Sequence, residues 1–96
     1  GADMRERALR LARVDAQRML EATRAAIAAD GDLLDAAQRA DIDTHLQALA
    51  ALLDGADTPA IEAATKALAE ATGSFAAERM NRGIRQALAG RRVEEV

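Results

Sequence analysis

The sequence contains no cysteine, tryptophan or tyrosine, and it has a single proline, Pro59, and a single phenylalanine, Phe75. The absence of cysteine excludes disulfide bonds and thiolate zinc sites. The lone His45 makes no metal site without several carboxylate ligands. No apolar run reaches the roughly 18 residues of a membrane span, so we expect no membrane partner and a cytoplasmic protein. The fold is therefore expected to be held by the packing of a few Leu, Ile, Val, Met and Phe side chains.

Excess positive charge is also missing. The chain has 13 lysine and arginine residues against 16 aspartate and glutamate residues, a formal net charge of −3. Nucleic-acid binding requires a clear cationic surface to neutralise phosphates. We therefore expect no nucleic-acid partner.

Helix-forming residues are abundant. Half of the 96 residues are hydrophobic, many of them alanine, which favours helices but buries little area. The pattern predicts one all-α domain over residues 1–96: an antiparallel bundle of three main helices plus a short C-terminal helix. Its stability would depend on few large aliphatic residues.

The first two predicted helices cover about residues 3–29 and 35–54. The first has an apolar stripe at three- or four-residue spacing: Leu9, Ala12, Ala16, Leu20, Thr23 and Ile27. Gly31 is suited to a left-handed helix end. Asp35 and Gln38 form a capping-box pattern, and the second stripe consists of Ile42, Leu46, Leu49 and Leu53.

The third predicted helix covers residues 58–80, with Thr58 as N-cap and Pro59 at the first helical position. One face carries Ile61, Ala64, Leu68, Thr72, Phe75 and Arg79. Gly73 indicates either close packing or a bend, and the segment Met80–Gly83 a kink or break. A short helix or kinked continuation would follow at residues 82–89, stopped by Gly90 and followed by a loose tail at 91–96.

The first helix is predicted to overhang the bundle. About 27 helical residues span ~40 Å, whereas the second helix, with about 20, spans ~30 Å. The overhang would expose Met4, Ala8, Leu9 and Leu11. An apolar end without cover indicates a missing partner or domain.

Other polar clusters have ordinary explanations. His45 is expected to be a partly exposed surface residue. The basic residues Arg79, Arg82, Arg85, Arg91 and Arg92 could bind phosphate or an acidic partner, but a solvated face paired with Glu78 and the terminal glutamates is favoured. Asp30, Asp32 and Asp35 lack the glycine and bidentate glutamate of a calcium loop, which favours capping and turn roles. No catalytic, cofactor or metal residue is assigned.

Two alternative functions remain open. A small chorismate mutase-type enzyme would use residue types that the chain offers, without matching their spacing: Arg5, Arg13, Gln17, Lys66 and Gln86. A generic helical oligomerisation module is the other alternative.

The segments "ADGDLLDAA", "AIEAATKAL", "FAAERM" and the terminal "RQALAGRRVEEV" resemble the C-terminal helical lid of seventy-kilodalton heat-shock chaperones, DnaK relatives of the HscA type. The resemblance covers essentially the whole chain after Gly1. "DGDLL", "FAAERM" and the VEEV terminus favour the HscA type over the general DnaK type.

The resemblance implies a domain without chemistry of its own. In such chaperones an ATPase domain controls a β-sandwich that grips an extended peptide, and the lid closes over the sandwich to slow client release. It implies ATP only in the parent protein, a role in iron–sulfur cluster assembly and an IscU-like client. The chain itself has no glycine-rich phosphate loop and is expected not to be an enzyme.

The resemblance also implies a docking surface on the first helix for the β-sandwich of the parent chain. The candidate residues are Met4, Ala8, Leu9, Leu11, Asp15, Gln17 and Glu21. An aspartate of DnaK-type lids latches the sandwich, and Gln17 stands at that register here. The resemblance therefore implies either that Asp15 or Glu21 substitutes or that the latch is weak. We also expect weak self-association through the uncovered start of this helix.

Overall fold

The fold is entirely helical over the part of the chain that the structure describes. The computed structural model describes residues 1–95, and side chains through Gly90. The elements are α1 (Ala2–Asp30), a 3₁₀ turn (Gly31–Leu33), α2 (Ala36–Leu52), α3 (Thr58–Ala71) and α4 (Gly73–Glu95). The predicted all-α class is confirmed.

The predicted apolar stripe of α1 faces the core, with one change at its end. Ala12, Ala16, Leu20, Thr23 and Ala26 are buried, while Leu9 and Ile27 are only partly buried against the same cluster. Because three of these five buried residues are alanines, the helices beside α1 can approach its backbone closely. The alanine side chains thus bury little apolar area but allow close packing between α1 and its neighbouring helices.

Helix α3 lies between the other two helices of the bundle. Ile61 and Leu68 on α3 have no exposed surface, and neither does Leu49 on α2. Residues near the start of α1 share a depression with the start of α3, and Ala26 near the end of α1 shares one with Phe75. Helices α1 and α3 therefore run in the same direction, and α2 runs back between them in sequence, as predicted.

The predicted left-handed end of α1 is wrong. Gly31 has φ −59° and ψ −20°, and no residue that the structure describes has positive φ. The chain instead tightens into the 3₁₀ turn, whose closing bond runs from the Leu34 amide to the Gly31 carbonyl. A 3₁₀ turn satisfies orphan carbonyls at a helix end without needing a left-handed residue.

An aspartate caps the N-terminus of α2 and another caps that of α3. The predicted capping box of α2 is confirmed: the Gln38 amide donates to the Asp35 carboxylate at 2.7 Å, and the Asp35 amide donates to the Gln38 side chain at 2.9 Å. For α3 the predicted N-cap, Thr58, is wrong. Asp57 is the cap, accepting from the Ala60 amide at 3.1 Å, because its carboxylate reaches a free amide of the first turn.

The predicted single helix over 58–80 is two helices. The interruption is at Thr72 (φ −95°, ψ 1°), not in Met80–Gly83, which lies inside α4. The Thr72 hydroxyl donates to the Ala69 carbonyl at 3.0 Å, a back-bond that bends helices, and Gly73 follows with its weak helix preference. No described atom lies within 4 Å of a Cβ built on Gly73, so its close-packing interpretation is wrong and the bend interpretation fits.

Helix α4 extends much further than the short helix predicted for 82–89. It passes through Gly90, which was expected to stop it, and its backbone is helical to Glu95. A single glycine costs a helix only about 1 kcal/mol, too little to end one by itself. The expected loose tail at 91–96 is therefore helical over 91–95; its side chains and Val96 lie outside the described residues.

The molecule is long and narrow, 65 × 29 × 17 Å. One cause is the predicted overhang, since every residue from 1 to 8 is exposed. The larger cause was not predicted: α4 continues beyond the end of α1, leaving Met80, Ile84 and Leu88 exposed at one-turn intervals. Apolar surface is therefore exposed at both ends.

An ion-pair cluster joins α4 to the end of α1. The Arg79 Nε donates to Asp30 at 2.8 Å, and Arg82 donates to Asp30 at 3.0 Å and to Asp32 at 2.6 and 2.9 Å. We call these four residues the clasp. For Arg79 and Arg82 the expected pairing with Glu78 and the terminal glutamates is wrong, because the fold brings Asp30 and Asp32 within bidentate reach of α4. The side chains of Arg91, Arg92 and the terminal glutamates lie outside the described residues, so their pairing stays a prediction.

The clasp shifts the acidity of its carboxyl groups. Hydrogen bonds from Arg79, then from Arg82, hold the pKa of Asp30 below its ordinary value of 3.8, and the bond from Arg82 does the same for Asp32. Partial desolvation opposes both shifts. The same bonds, led by that to Asp32, raise the pKa of the Arg82 guanidinium. The charged forms are thus the ones the fold favours.

The core predicts a large penalty for truncation on α3. Leu68 has no exposed surface, so Leu68→Ala should lower the free energy of unfolding by about 3 kcal/mol through lost burial and a cavity. Leu88→Ala, on the exposed part of α4, should change it by less than about 0.5 kcal/mol. Urea denaturation followed by circular dichroism measures both. Equal effects of the two substitutions would contradict this assignment of the core.

The clasp predicts a loss of stability in acid. Because the folded-state pKa values of Asp30 and Asp32 lie below 3.8, their contribution is complete above that value and is lost as pH falls through the folded values. As the pH is lowered below 3.8, the urea midpoint of the unaltered chain should fall more steeply than that of Asp32→Asn. Asp54→Asn, an exposed carboxylate outside the clasp, serves as control and should keep the unaltered pH dependence. Identical profiles for all three proteins would refute the prediction.

Candidate functional site

The first four turns of α1 carry an apolar face that its own bundle leaves exposed. Met4, Ala8, Leu11 and Asp15 are spaced by four, three and four residues, which places them on one side of the helix. The Met4 side chain is 72% exposed and that of Leu11 60%. The adjacent side, starting with Ala12 and Ala16, is buried. These turns therefore have two apolar sides. The side with Ala12 and Ala16 is buried in the bundle, and the side with Met4 and Leu11 is exposed.

Helix α3 adds a second wall to this face. Ala8, Leu11 and Asp15 line a shallow groove between α1 and α3 with a volume of about 510 Å³. Its other lining residues are Ala12, Glu62, Thr65, Lys66 and Ala69. None of these α3 residues was predicted as part of the docking surface, and only Lys66 was considered for a site at all, in the chorismate mutase-type alternative. Glu62, Lys66 and Ala69 are spaced by four and three residues, so they share one side of α3.

The groove has an apolar floor with charges at its edges. Alanines and Leu11 form its apolar surface, while Asp15, Glu62 and Lys66 are exposed along it. Such a pattern, an apolar centre with a polar rim, is the usual composition of a protein–protein interface. It offers packing area and orienting charges, and no arrangement for bond chemistry.

The seven predicted docking residues do not all belong to this face. Leu9 is partly buried against the core. Gln17 lies on another side of α1, where it lines a depression with Glu6, Leu9, Arg10, Arg13 and Val14. Glu21 is exposed four residues after Gln17, hence on the side of Gln17 and not of Leu11. The docking assignment itself stays a prediction.

Arg13 ties α1 to the α2–α3 connection. Its Nη2 donates to the Gly55 carbonyl at 2.6 Å, whereas its Nε is buried without a hydrogen-bond partner among the described residues. The Gly55 amide in turn donates to the Leu52 carbonyl at 3.1 Å. Because this connection leads into α3, Arg13 helps to fix the two walls of the groove relative to each other.

The residues considered for a chorismate mutase-type site are dispersed. Arg5 borders the α2–α3 connection, Lys66 lines the α1–α3 groove, and Arg13 and Gln17 lie on another side of α1. Gln86 is on the exposed part of α4. A site for a dianion requires these groups around one cavity, and the fold does not provide it.

The remaining candidates have structural positions. His45 is partly exposed, with its Nε2 3.7 Å from Asp41 one turn earlier on α2. Asp30 and Asp32 belong to the clasp, and Asp35 caps α2. Within the described residues no three carboxylate or histidine side chains are grouped to hold a metal ion. No described helix is both long and apolar enough to cross a membrane.

Curated proteins similar to this chain are HscA chaperones. No family model matches the chain. A chaperone protein HscA homolog from Burkholderia cenocepacia is 63% identical over 94 residues, which cover 98% of this chain and 15% of the relative. HscA homologs from Methylibium petroleiphilum and Burkholderia multivorans are 66% and 60% identical over the same extents.

The chain thus spans about one seventh of the length of these curated relatives, 15%. The identity of 60–66% extends over 94 of the 96 residues, well beyond what a shared helical composition produces. The resemblance to HscA-type chaperones is confirmed. Over 98% of its length this chain matches the C-terminal region of HscA chaperones.

Proposed function

We propose that this chain is the lid of an HscA-like chaperone and that it closes over the β-sandwich that holds the client peptide. The observation that carries the proposal is the exposed apolar face of α1, from Met4 to Leu11, in a chain whose own core is complete without it. The match to HscA chaperones supplies the neighbour that such a face requires.

The docking surface in this proposal is narrower than the sequence indicated. Met4, Ala8, Leu11 and Asp15 share a face, and the α3 wall of the groove extends it. Leu9 contributes from beneath by holding α1 on the core. A surface of this kind binds mainly through excluded water, with the rim charges fixing orientation.

An ionic latch, if the lid uses one, is best placed at Asp15. Its carboxylate lies beside Leu11 on the groove face, whereas Gln17 and Glu21 are on a different side of α1. A carboxylate can pair with a cation of the sandwich, which the uncharged Gln17 amide cannot do. In our proposal the latch role therefore falls to Asp15 and not to Gln17.

Lid closure would act as a shift of populations. The lid slows client release only by the free energy of its contacts in the closed state, since contacts made equally in the open state change nothing. The whole chaperone would hydrolyse ATP to drive opening, work in the cytoplasm and deliver an IscU-like scaffold for iron–sulfur cluster assembly. This segment would bind no cofactor and catalyse no reaction.

Lid docking predicts faster client release when the face of α1 carries a charge. In the full-length chaperone, Leu11→Glu should raise the dissociation rate of a fluorescent client peptide in the ADP state by about tenfold, the equivalent of 1.4 kcal/mol of lost closure. Leu88→Glu, equally exposed on α4, is the matched control and should leave the rate unchanged. An unchanged rate in both variants would remove the basis for lid docking through α1.

The bare face also predicts weak self-association of the isolated 96-residue chain. With Met4 and Leu11 exposed, two copies can bury these side chains against each other over a small area, which corresponds to a dissociation constant of about 0.1 mM or weaker. Sedimentation equilibrium from micromolar to millimolar concentration measures it. Leu11→Glu should abolish the dimer and Leu88→Glu should preserve it; the reverse result, or a monomer throughout, would contradict the prediction.

A further inference from the structure

Helix α4 is joined to the bundle by a single residue. Thr72 separates it from α3 with a ψ of 1°, and its hydroxyl bonds back to the Ala69 carbonyl. Gly73 follows, with open space where a side chain would be. Because Gly73 has no Cβ and no neighbour where one would be, backbone rotation at this position meets little steric resistance.

Two groups hold α4 beyond this joint. The first is Phe75, only 3% exposed, which packs in the core one turn after the joint. The second is the clasp, where Arg79 and Arg82 bind Asp30 and Asp32. The Arg79 guanidinium also lies 6.0 Å from the centre of the Phe75 ring, which connects the two groups.

Everything on α4 after the clasp faces solvent as far as its side chains are described. Residues 83–90 are all exposed. Met80, Ile84 and Leu88 lie on the side of the helix opposite to Phe75, Arg79 and Arg82, given 100° of rotation per residue. The clasp therefore decides both where the helix lies and which way its exposed apolar stripe points.

The geometry points to α4 as an arm that opens from the bundle at Thr72 while α1, α2 and α3 stay folded, with the clasp as the electrostatic catch that keeps it closed. The core of the three helices is continuous without α4 except for Phe75, so opening exposes one large buried side chain. What opposes it otherwise is charge pairing at a partly exposed site, and pairing of that kind weakens as salt is added.

Arg82 is the central residue of the clasp because its guanidinium binds both Asp30 and Asp32. Arg82 binds both aspartates, one at the end of α1 and one in the 3₁₀ turn, while Arg79 binds only Asp30. Removing the Arg82 charge breaks the link to Asp32 and half of the link to Asp30. Arg85, one turn further along α4 and exposed, lies outside the clasp and carries the same charge.

Hydrogen exchange followed by mass spectrometry on the 96-residue chain tests local opening. Arg82→Gln should lower the protection of α4 amides after Thr72 by about fivefold, the upper range for exposed ion pairs, while α2 and α3 keep theirs. Arg85→Gln should behave as the unaltered chain. Equal protection of α4 in Arg82→Gln and the unaltered chain would overturn the inference, and so would a uniform loss over all helices.

A distance measurement tests movement of the arm directly. The chain has no cysteine, so Gln47→Cys on α2 and Ala87→Cys on α4 give a single spin-labelled pair at exposed positions. At low salt one narrow distance distribution is expected. At about 1 M salt the Debye length falls to ~3 Å, comparable to the 2.6–3.0 Å contacts of the clasp, so the ion pairs weaken and a second, broader population should appear. Adding Arg82→Gln should produce that population at low salt.

Two variants identify the clasp as the cause. Asp32→Asn and Arg82→Gln should each open the arm. The double variant should open it little further than Arg82→Gln alone, because both substitutions remove the same Arg82–Asp32 ion pair. Strictly additive effects, or a distance distribution that ignores salt in every variant, would refute the electrostatic catch. Because the measurement uses no client or sandwich domain, its failure would leave the proposed lid role untouched.

Discussion

The structure depends on the burial of a few aliphatic side chains of α3 between α1 and α2. Ile61 and Leu68 have no exposed surface, and they are met by Leu49 from one side and by the alanine-rich stripe of α1 from the other. A chain of 96 residues buries a smaller fraction of its surface than a larger domain does, so each such contact is a large part of the total stability. This core occupies only the middle of the molecule, and that limit determines what happens at both ends.

At both ends of the molecule the helices carry apolar side chains beyond the region that the core covers. The early turns of α1 have a second apolar side, which the bundle leaves open because α3 is short and begins only at Thr58. At the other end α4 extends beyond α1, and charge pairing in the clasp takes over from burial in holding it. Docking on a neighbour suits the first end, where alanines and Leu11 form a nearly flat surface. The second end is held by groups that water and salt can compete for.

The sequence was most informative where one physical effect acted alone. Apolar spacing predicted the buried sides of α1 and α2, and the acid–amide pair Asp35 and Gln38 predicted the start of α2, because both depend only on neighbours three or four residues apart. Predictions failed where local preferences were close to balanced. Gly31, Gly73 and Gly90 were each given a role from their residue type, yet one sits in a 3₁₀ turn, one follows a break caused by Thr72, and one lies inside α4. The clasp was missed for a different reason: Asp30 and Arg82 are 52 residues apart, and nothing in the local pattern relates them.

The candidate site shows the same division. Its α1 part follows from spacing and from the length of the helix, whereas its α3 part, Glu62 and Lys66, depends on how the two helices pack. Helical periodicity alone separates Gln17 from Leu11, because six residues at 100° each place them about 120° apart around α1. Since a docking surface must present its residues to one neighbour, the three-dimensional sorting decides which members act together. It leaves an apolar patch with Asp15 at its edge, so a carboxylate and the exposed apolar side chains are presented on the same side of α1.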